Sequence, residues 1–114
     1  MNSTEIIGTS IKIDNLEIAE FDFPNEMTWD EGVKACIELG EGWRLPTKYE
    51  NNLLYQNKDK IGIAEGVYWS STERSKKVYA WIQDFYGDRY IATCPMNGYS
   101  YKVSTYNVRA VRDF

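Results

Sequence analysis

Few side chains in this chain of 114 residues could do chemistry, and the missing types decide as much as the present ones. There is no His, which removes the commonest general base, the commonest metal ligand and the near-neutral pH switch together. Cys36 and Cys94 are the only cysteines. Both read as buried small hydrophobes, Cys36 on the apolar side of a predicted helix and Cys94 in a strand-like run before Pro95. Two cysteines make neither a disulfide framework nor a zinc site, and their pairing is not deducible from their positions. A reactive thiol needs a nearby cation to hold the thiolate, and Arg89 is the neighbour that could serve Cys94. Asp84 and Asp88 flank a predicted hairpin, but a hard cation wants several converging oxygens, and two carboxylates around a turn read as solvated surface. No metal and no cofactor is expected.

The remaining chemistry is recognition. Aromatics make up 15% of the chain, and its nine Tyr exceed what a small core built on four Trp needs. Tyr86, Tyr90, Tyr99, Tyr101 and Tyr106 are interleaved with Arg89, Thr93, Asn97, Ser100 and Ser104. Rigid aromatics beside small adaptable polar groups are the composition of a binding surface, because Tyr offers large contact area at low entropic cost. The candidate ligand-binding residues are Tyr86, Arg89, Tyr90, Asn97, Tyr99, Tyr101 and Tyr106. The competing reading is a wet, Tyr-rich sheet edge that binds nothing, since Tyr is common in strands.

Bulk properties narrow the partner. A net charge of −4 and a pI near 4.8 argue against nucleic acid and against an anionic membrane surface, both of which call for a basic face. No stretch approaches the roughly 18 apolar residues of a membrane span. The first ten residues lack a basic start and a long apolar run, so the chain is expected to be soluble and cytoplasmic as synthesised. The length fits one domain over residues 1–114, with residues 1–10 as a short N-terminal extension.

The elements that must hold these residues follow from periodicity and caps. Residues 11–13 and 16–21 alternate apolar and polar, with Asp14-Asn15 as the turn between two strands. Thr28 and Glu31 have the spacing of a capping box. The helix after it, running to about Leu39, carries Trp29, Val33, Cys36 and Ile37 on one face and ends at Gly40. Thr47 and Glu50 repeat the box behind Pro46 and start a second helix over residues 48–56, with Tyr49, Leu53 and Leu54 as its apolar stripe. Residues 57–62 read as a loop or as a frayed final turn of that helix. From residue 67 the period becomes two: strands are predicted over 67–72, 78–86 and 89–94, with Gly87-Asp88 as a turn, then a Tyr-rich segment and a last strand over 106–112. Trp43, Trp69 and Trp81 read as core. Arg44 and Arg112 read as structural partners, and Arg109 as solvent-facing. Strands, then two helices, then hairpin-linked strands argue an α+β domain with antiparallel pairing.

Several strings carry a resemblance. Met27-Thr28-Trp29, Ala35-Cys36, Leu39-Gly40 and Gly42-Trp43-Arg44-Leu45-Pro46-Thr47 are followed by Tyr68-Trp69-Ser70-Ser71-Thr72, Ala80-Trp81 and Val108-Arg109-Ala110-Val111-Arg112. In this order they resemble C-type-lectin-like domains of the prokaryotic and phage branch, which includes formylglycine-generating-enzyme-like domains and the variable proteins of diversity-generating retroelements. The resemblance implies two helices packed on a small twisted antiparallel sheet, with adjacent N- and C-terminal strands. It also implies either catalysis or recognition of a protein or glycan. Catalysis is disfavoured, because those enzymes use a cysteine pair in their C-terminal part, where this chain has Cys94 alone. Calcium-dependent sugar binding is disfavoured too, because Cys94-Pro95-Met96-Asn97 has no acidic residue beside the proline. In the retroelement relatives the variable positions lie in this Tyr-rich region. The expectation is a non-catalytic, metal-independent recognition module. Its alternative is a phage virion or host-attachment subunit, present as a homo-oligomer or built into a larger particle.

Overall fold

The computed structural model describes residues 3–63, 65–85 and 97–114. The elements run α1 (Ser3–Ile7), β1 (Ile11–Ile13), β2 (Leu16–Ile18), α2 (Trp29–Glu38), α3 (Lys48–Gln56), α4 (Lys58–Ile61), β3 (Val67–Glu73), β4 (Tyr79–Asp84), β5 (Asn97–Tyr101) and β6 (Val111–Asp113). The predicted turn at Gly87-Asp88 and the strand over 89–94 lie outside the described residues.

Both capping boxes form. The Thr28 hydroxyl accepts the Glu31 N–H while the Glu31 carboxylate takes the Thr28 N–H, and Thr47 and Glu50 repeat the exchange. Each box satisfies two N–H groups that a helix start would otherwise leave unpaired. Gly32 on α2 faces Val108 so closely that a Cβ there would sit 3.0 Å from a Val108 methyl. Two stripe residues are not buried: Ile37 is 61% exposed and Tyr49 is 72% exposed, because each helix turns only a narrow face to the sheet. Residues 58–61, expected as a loop or a frayed turn, form the short helix α4, anchored by buried Ile61 and ended by Gly62 in the left-handed region.

The strands form two three-stranded antiparallel sheets, β1-β2-β6 and β3-β4-β5. β2 pairs with β6, so the N- and C-terminal strands are adjacent as expected. The last strand is shorter than expected: residues 106–110 make isolated contacts instead, with Tyr106 bridging to Met27 and Asn107 to Tyr68. The Gly42–Glu50 stretch ties the halves together. Arg44 exchanges backbone hydrogen bonds with Val111, and the Pro46 carbonyl accepts the Ser71 N–H at 2.7 Å.

Two apolar clusters lie on opposite faces of β3-β4-β5. On one face Trp69, Ala80 and Ile82 meet Cys36 and Val33 of α2, together with Trp43, Leu45, Val108 and Ile6. On the other face Tyr68 and Phe85 meet Leu54 of α3, Ile61 of α4 and Ile63. The helices cover the second face only at its Tyr68–Phe85 end. At the Tyr79–Trp81 end it is only half-buried, with Lys48 at the start of α3 seated on Trp81.

Ion pairs pin the chain ends to this frame. Arg44 forks onto Glu50 at 2.7 and 2.9 Å and reaches Asp113 at 2.7 Å. Arg112 holds Glu17 at 2.8 Å. Arg109, expected to face solvent, is instead buried. It donates to Asp22 at 2.7 Å and to the Ala19 carbonyl at 3.2 Å, and Asp22 also accepts the Tyr68 hydroxyl. The strand alternation breaks at that point, because residues 106–110 are not in a regular ladder.

Arg112 and then Ser10 lower the Glu17 pKa. Partial burial pushes Glu50 up, but its hydrogen bonds from Arg44 and the Thr47 N–H outweigh that, and its carboxyl also lies below the ordinary value. A carboxylate with a lowered folded pKa contributes stability that is fully present above the unfolded value of about 4.3 and is lost as pH falls through the folded value. Thermal melts should therefore show Tm steady from neutrality to about pH 5 and falling below it. Glu50→Gln should lower Tm at neutral pH and make the acid limb shallower. An unchanged acid limb would show that Glu50 does not contribute to it.

Candidate functional site

The uncovered half of the β3-β4-β5 sheet is built by register. In the β4–β5 ladder Tyr79 lies opposite Tyr101 and Trp81 opposite Tyr99. Alternation sends these four side chains to one face, while Ala80 and Ser100 point to the α2 side. The rings form a continuous row: Tyr101 to Tyr79 is 4.9 Å between centroids, Tyr79 to Tyr99 is 5.2 Å and Tyr99 to Trp81 is 5.6 Å. Tyr99 is 49% exposed and Tyr101 is 55% exposed. The contacts are tilted or edge-to-face, at 41° to 76°, as the ring quadrupoles favour. The neighbouring Tyr101 hydroxyl raises the Tyr79 pKa above that of a free phenol.

Cations flank the row. The Lys48 ammonium sits 3.7 Å from the Trp81 centroid and 5.5 Å from that of Tyr49. Its position follows from the second capping box: Lys48 is the first residue of α3, and its backbone N–H donates to the Thr72 hydroxyl on β3 at 2.9 Å. On the other side the Arg74 guanidinium lies 5.1 Å from the Tyr99 centroid. Both contacts are cation–π interactions.

The candidate residues divide accordingly. Tyr99 and Tyr101 are brought together on this face. Asn97 opens β5, its backbone opposite Gln83. Tyr106 belongs to the other side: its ring packs on Trp69 at 5.0 Å, and its hydroxyl bonds Ser100, which faces α2. Tyr86, Arg89 and Tyr90 lie outside the described residues. Trp81, expected as core, is half-exposed in the row, whereas Trp43 and Trp69 are buried as expected. Tyr79, Trp81, Lys48, Tyr49 and Arg74 were missed. The alternation of Tyr79 with Trp81 matched that of Tyr99 with Tyr101, and this shared period of two was the available signal.

Chemistry beyond binding finds little support among the described residues. No group of three metal-ligating side chains converges. Burial pushes the Cys36 thiol up to about 12, leaving it a poor nucleophile, and Cys94 lies outside the described residues. No described helix is long and apolar enough to cross a membrane.

No protein-family model and no curated protein sequence matches the chain. Solved structures do. EMS16, an antagonist of the collagen receptor integrin α2β1, superposes with a TM-score of 0.62 at 11% identity, over 92% of this chain and 97% of its own. Botrocetin superposes with a TM-score of 0.63 at 12% identity, over 94% and 98%. The fold is C-type-lectin-like. At such identities the likeness carries the architecture and leaves the site to be argued from this chain's own residues. In this C-type-lectin-like domain the aromatic row contributes little to stability. Tyr99→Ala and Tyr101→Ala should each cost less than about 1 kcal/mol, the size of a cross-strand pair. Tyr106→Ala, which removes a ring from Trp69, should cost about 2 to 3 kcal/mol. Urea unfolding of the three variants checks this, and comparable losses in all three would put the row in the core.

Proposed function

We propose that the chain is a non-catalytic, metal-independent recognition module that binds a protein through the uncovered half of the β3-β4-β5 sheet. The observation that carries this reading is the row Tyr101–Tyr79–Tyr99–Trp81, in which every centroid is within 5.6 Å of the next, Tyr99 and Tyr101 are exposed and Tyr79 and Trp81 are half-buried. Contiguous exposed aromatics are unusual on a small protein surface, and they are the residues that carry binding energy at interfaces. Preorganisation adds to this, because rings held by their neighbours lose little freedom when a partner seats. A protein fits better than a neutral glycan. Sugar stacking wants an open ring face, but here the rings meet edge-on and Lys48 caps Trp81. That EMS16 antagonises a receptor supports protein recognition as a use of this fold. Tyr86, Arg89, Tyr90 and Asn97 remain proposed contacts, on their closeness in sequence to β4 and β5.

The test is a random peptide display library panned against the folded chain, with Tyr79→Ala/Tyr99→Ala as the competitor. Selected peptides should bind the parent and lose at least about tenfold in affinity for the variant at unchanged Tm. Peptides that bind both equally would sink the reading. Whether the module is retroelement-diversified or carried on a virion is a finer proposal that gene neighbourhood separates: a reverse transcriptase with a template repeat marks the first, and tail or capsid genes mark the second.

A further inference from the structure

The charges around the aromatic row narrow what it takes, given that it is a recognition surface. The chain carries a net charge of −4, yet the row carries two cations. Lys48 lies over Trp81 and Arg74 over Tyr99. Neither has an ion-pair partner among the described residues. The cations that do have partners serve the frame: Arg44, Lys102, Arg109 and Arg112. Asp84 of β4 alternates with Ala80 and Ile82, away from the row, and two further carboxylates close to it are committed. Glu73 pairs with Lys102 at 2.7 Å, and Glu50 pairs with Arg44 while capping α3. Lys76 and Lys77 lie apart from the row, lining a groove with Trp29 and Asp30 of α2. Lys12 over Phe114 and Lys58 over Tyr55 are single cation–ring contacts, whereas Lys48 and Arg74 both sit on one row of four rings, and no described carboxylate pairs with either.

We propose that the ligand is an acidic polypeptide segment. Its carboxylates would take the Lys48 ammonium and the Arg74 guanidinium, which the rings hold at fixed positions. Its own apolar or aromatic side chains would cover Tyr99, Tyr79 and Tyr101. Charge-assisted hydrogen bonds to carboxylates are the strongest contacts these two cations can make, and flanking rings exclude the water that would weaken them. Opposite charge also speeds encounter, so association should weaken as salt rises.

A random copolymer of glutamate and tyrosine is a direct probe. Titrated into the intact chain and followed by tryptophan fluorescence, it should bind in dilute salt, and its affinity should fall at least about tenfold between roughly 50 and roughly 500 mM salt. Lys48→Gln/Arg74→Gln should weaken binding about tenfold at unchanged Tm, whereas Lys12→Gln, on the other sheet, should not. Three results would overturn the proposal. The copolymer could fail to bind while displayed peptides still seat on the row, so that the surface recognises proteins but not acidic ones. Heparin could bind as tightly as the copolymer, making the ligand an anionic glycan. The chain alone could self-associate in sedimentation and lose this on Lys48→Gln/Arg74→Gln, making the acidic partner a second copy. If displayed peptides do not seat on the row either, the recognition reading itself fails first.

Discussion

The Trp69 indole is the group on which the arrangement depends. Its Nε1–H donates to the Met27 carbonyl at 2.8 Å, which fixes the segment leading into α2. Its backbone N–H donates to Asn107 at 3.1 Å, and its carbonyl accepts the Asn51 amide of α3 at 3.1 Å. Its ring packs on Tyr106 within the cluster that holds Cys36, Trp43, Leu45 and Val108. One residue of β3 thereby sets the positions of α2, α3 and the returning C-terminal segment relative to the sheet. Trp is suited to this, since its large apolar ring carries a single directional donor that must be paired once buried. An unpaired buried N–H costs about 1 to 3 kcal/mol, so the Met27 contact selects one arrangement over its neighbours.

With the strands held there, the two faces of β3-β4-β5 take different parts. The face toward α2 is filled along its length, while Leu16 and Ile18 of β2 and Val111 of β6 pack with Tyr68 in the cluster on the other face. The other face is filled only as far as α3 and α4 extend. Gln83 marks the boundary: it is buried beside the covered end, while Trp81, two residues earlier on the same face, is half-exposed. Gln83 and Asn51 each keep a buried side-chain oxygen without a partner among the described residues, which places the least satisfied polar groups beneath the margin of the bare half. α3 begins at a cap set by Pro46 and Thr47, and its first residue, Lys48, is at the edge of the aromatic row. The Gly42–Glu50 stretch is therefore scaffold whose placement also limits how far the helix shields the sheet.

How much of this could be read from the sequence follows the range of the interactions. Capping boxes act over three residues, and both were legible, as was the β1–β2 hairpin with its turn at Asp14. Trp69 and Trp81 sit in similar period-two strings, yet one is buried and the other half-exposed, because covering a strand position depends on where a distant helix lies. Alternation gave the pairs Tyr79–Trp81 and Tyr99–Tyr101 their common faces, but the register that sets them opposite one another is a tertiary fact. Arg109 misled for a related reason. It reads as a surface residue in an alternating strand, and only the irregular backbone over residues 106–110 turns it toward Asp22. Tyr106 is on the core side of the same segment, so Tyr composition alone could not divide the tyrosines into contact and core.

A bare aromatic face is a hazard as well as an opportunity, because exposed apolar patches promote association. Lys48 and Arg74 bear on both sides of that problem. A charged group seated on a ring keeps the ring beside bound water and opposes stacking between like-charged copies. The same group, lacking a carboxylate partner among the described residues, is what would draw in the acidic partner proposed above. The ion pairs of the frame leave those two cations out: Arg44, Arg109 and Arg112 pair with Glu50, Asp22 and Glu17, and Lys102 is turned inward over Trp29. Stability and recognition thus draw on separate sets of charges and separate sets of aromatics, so substitutions along the exposed row can alter what it binds while Trp69 and its contacts hold the sheet in place.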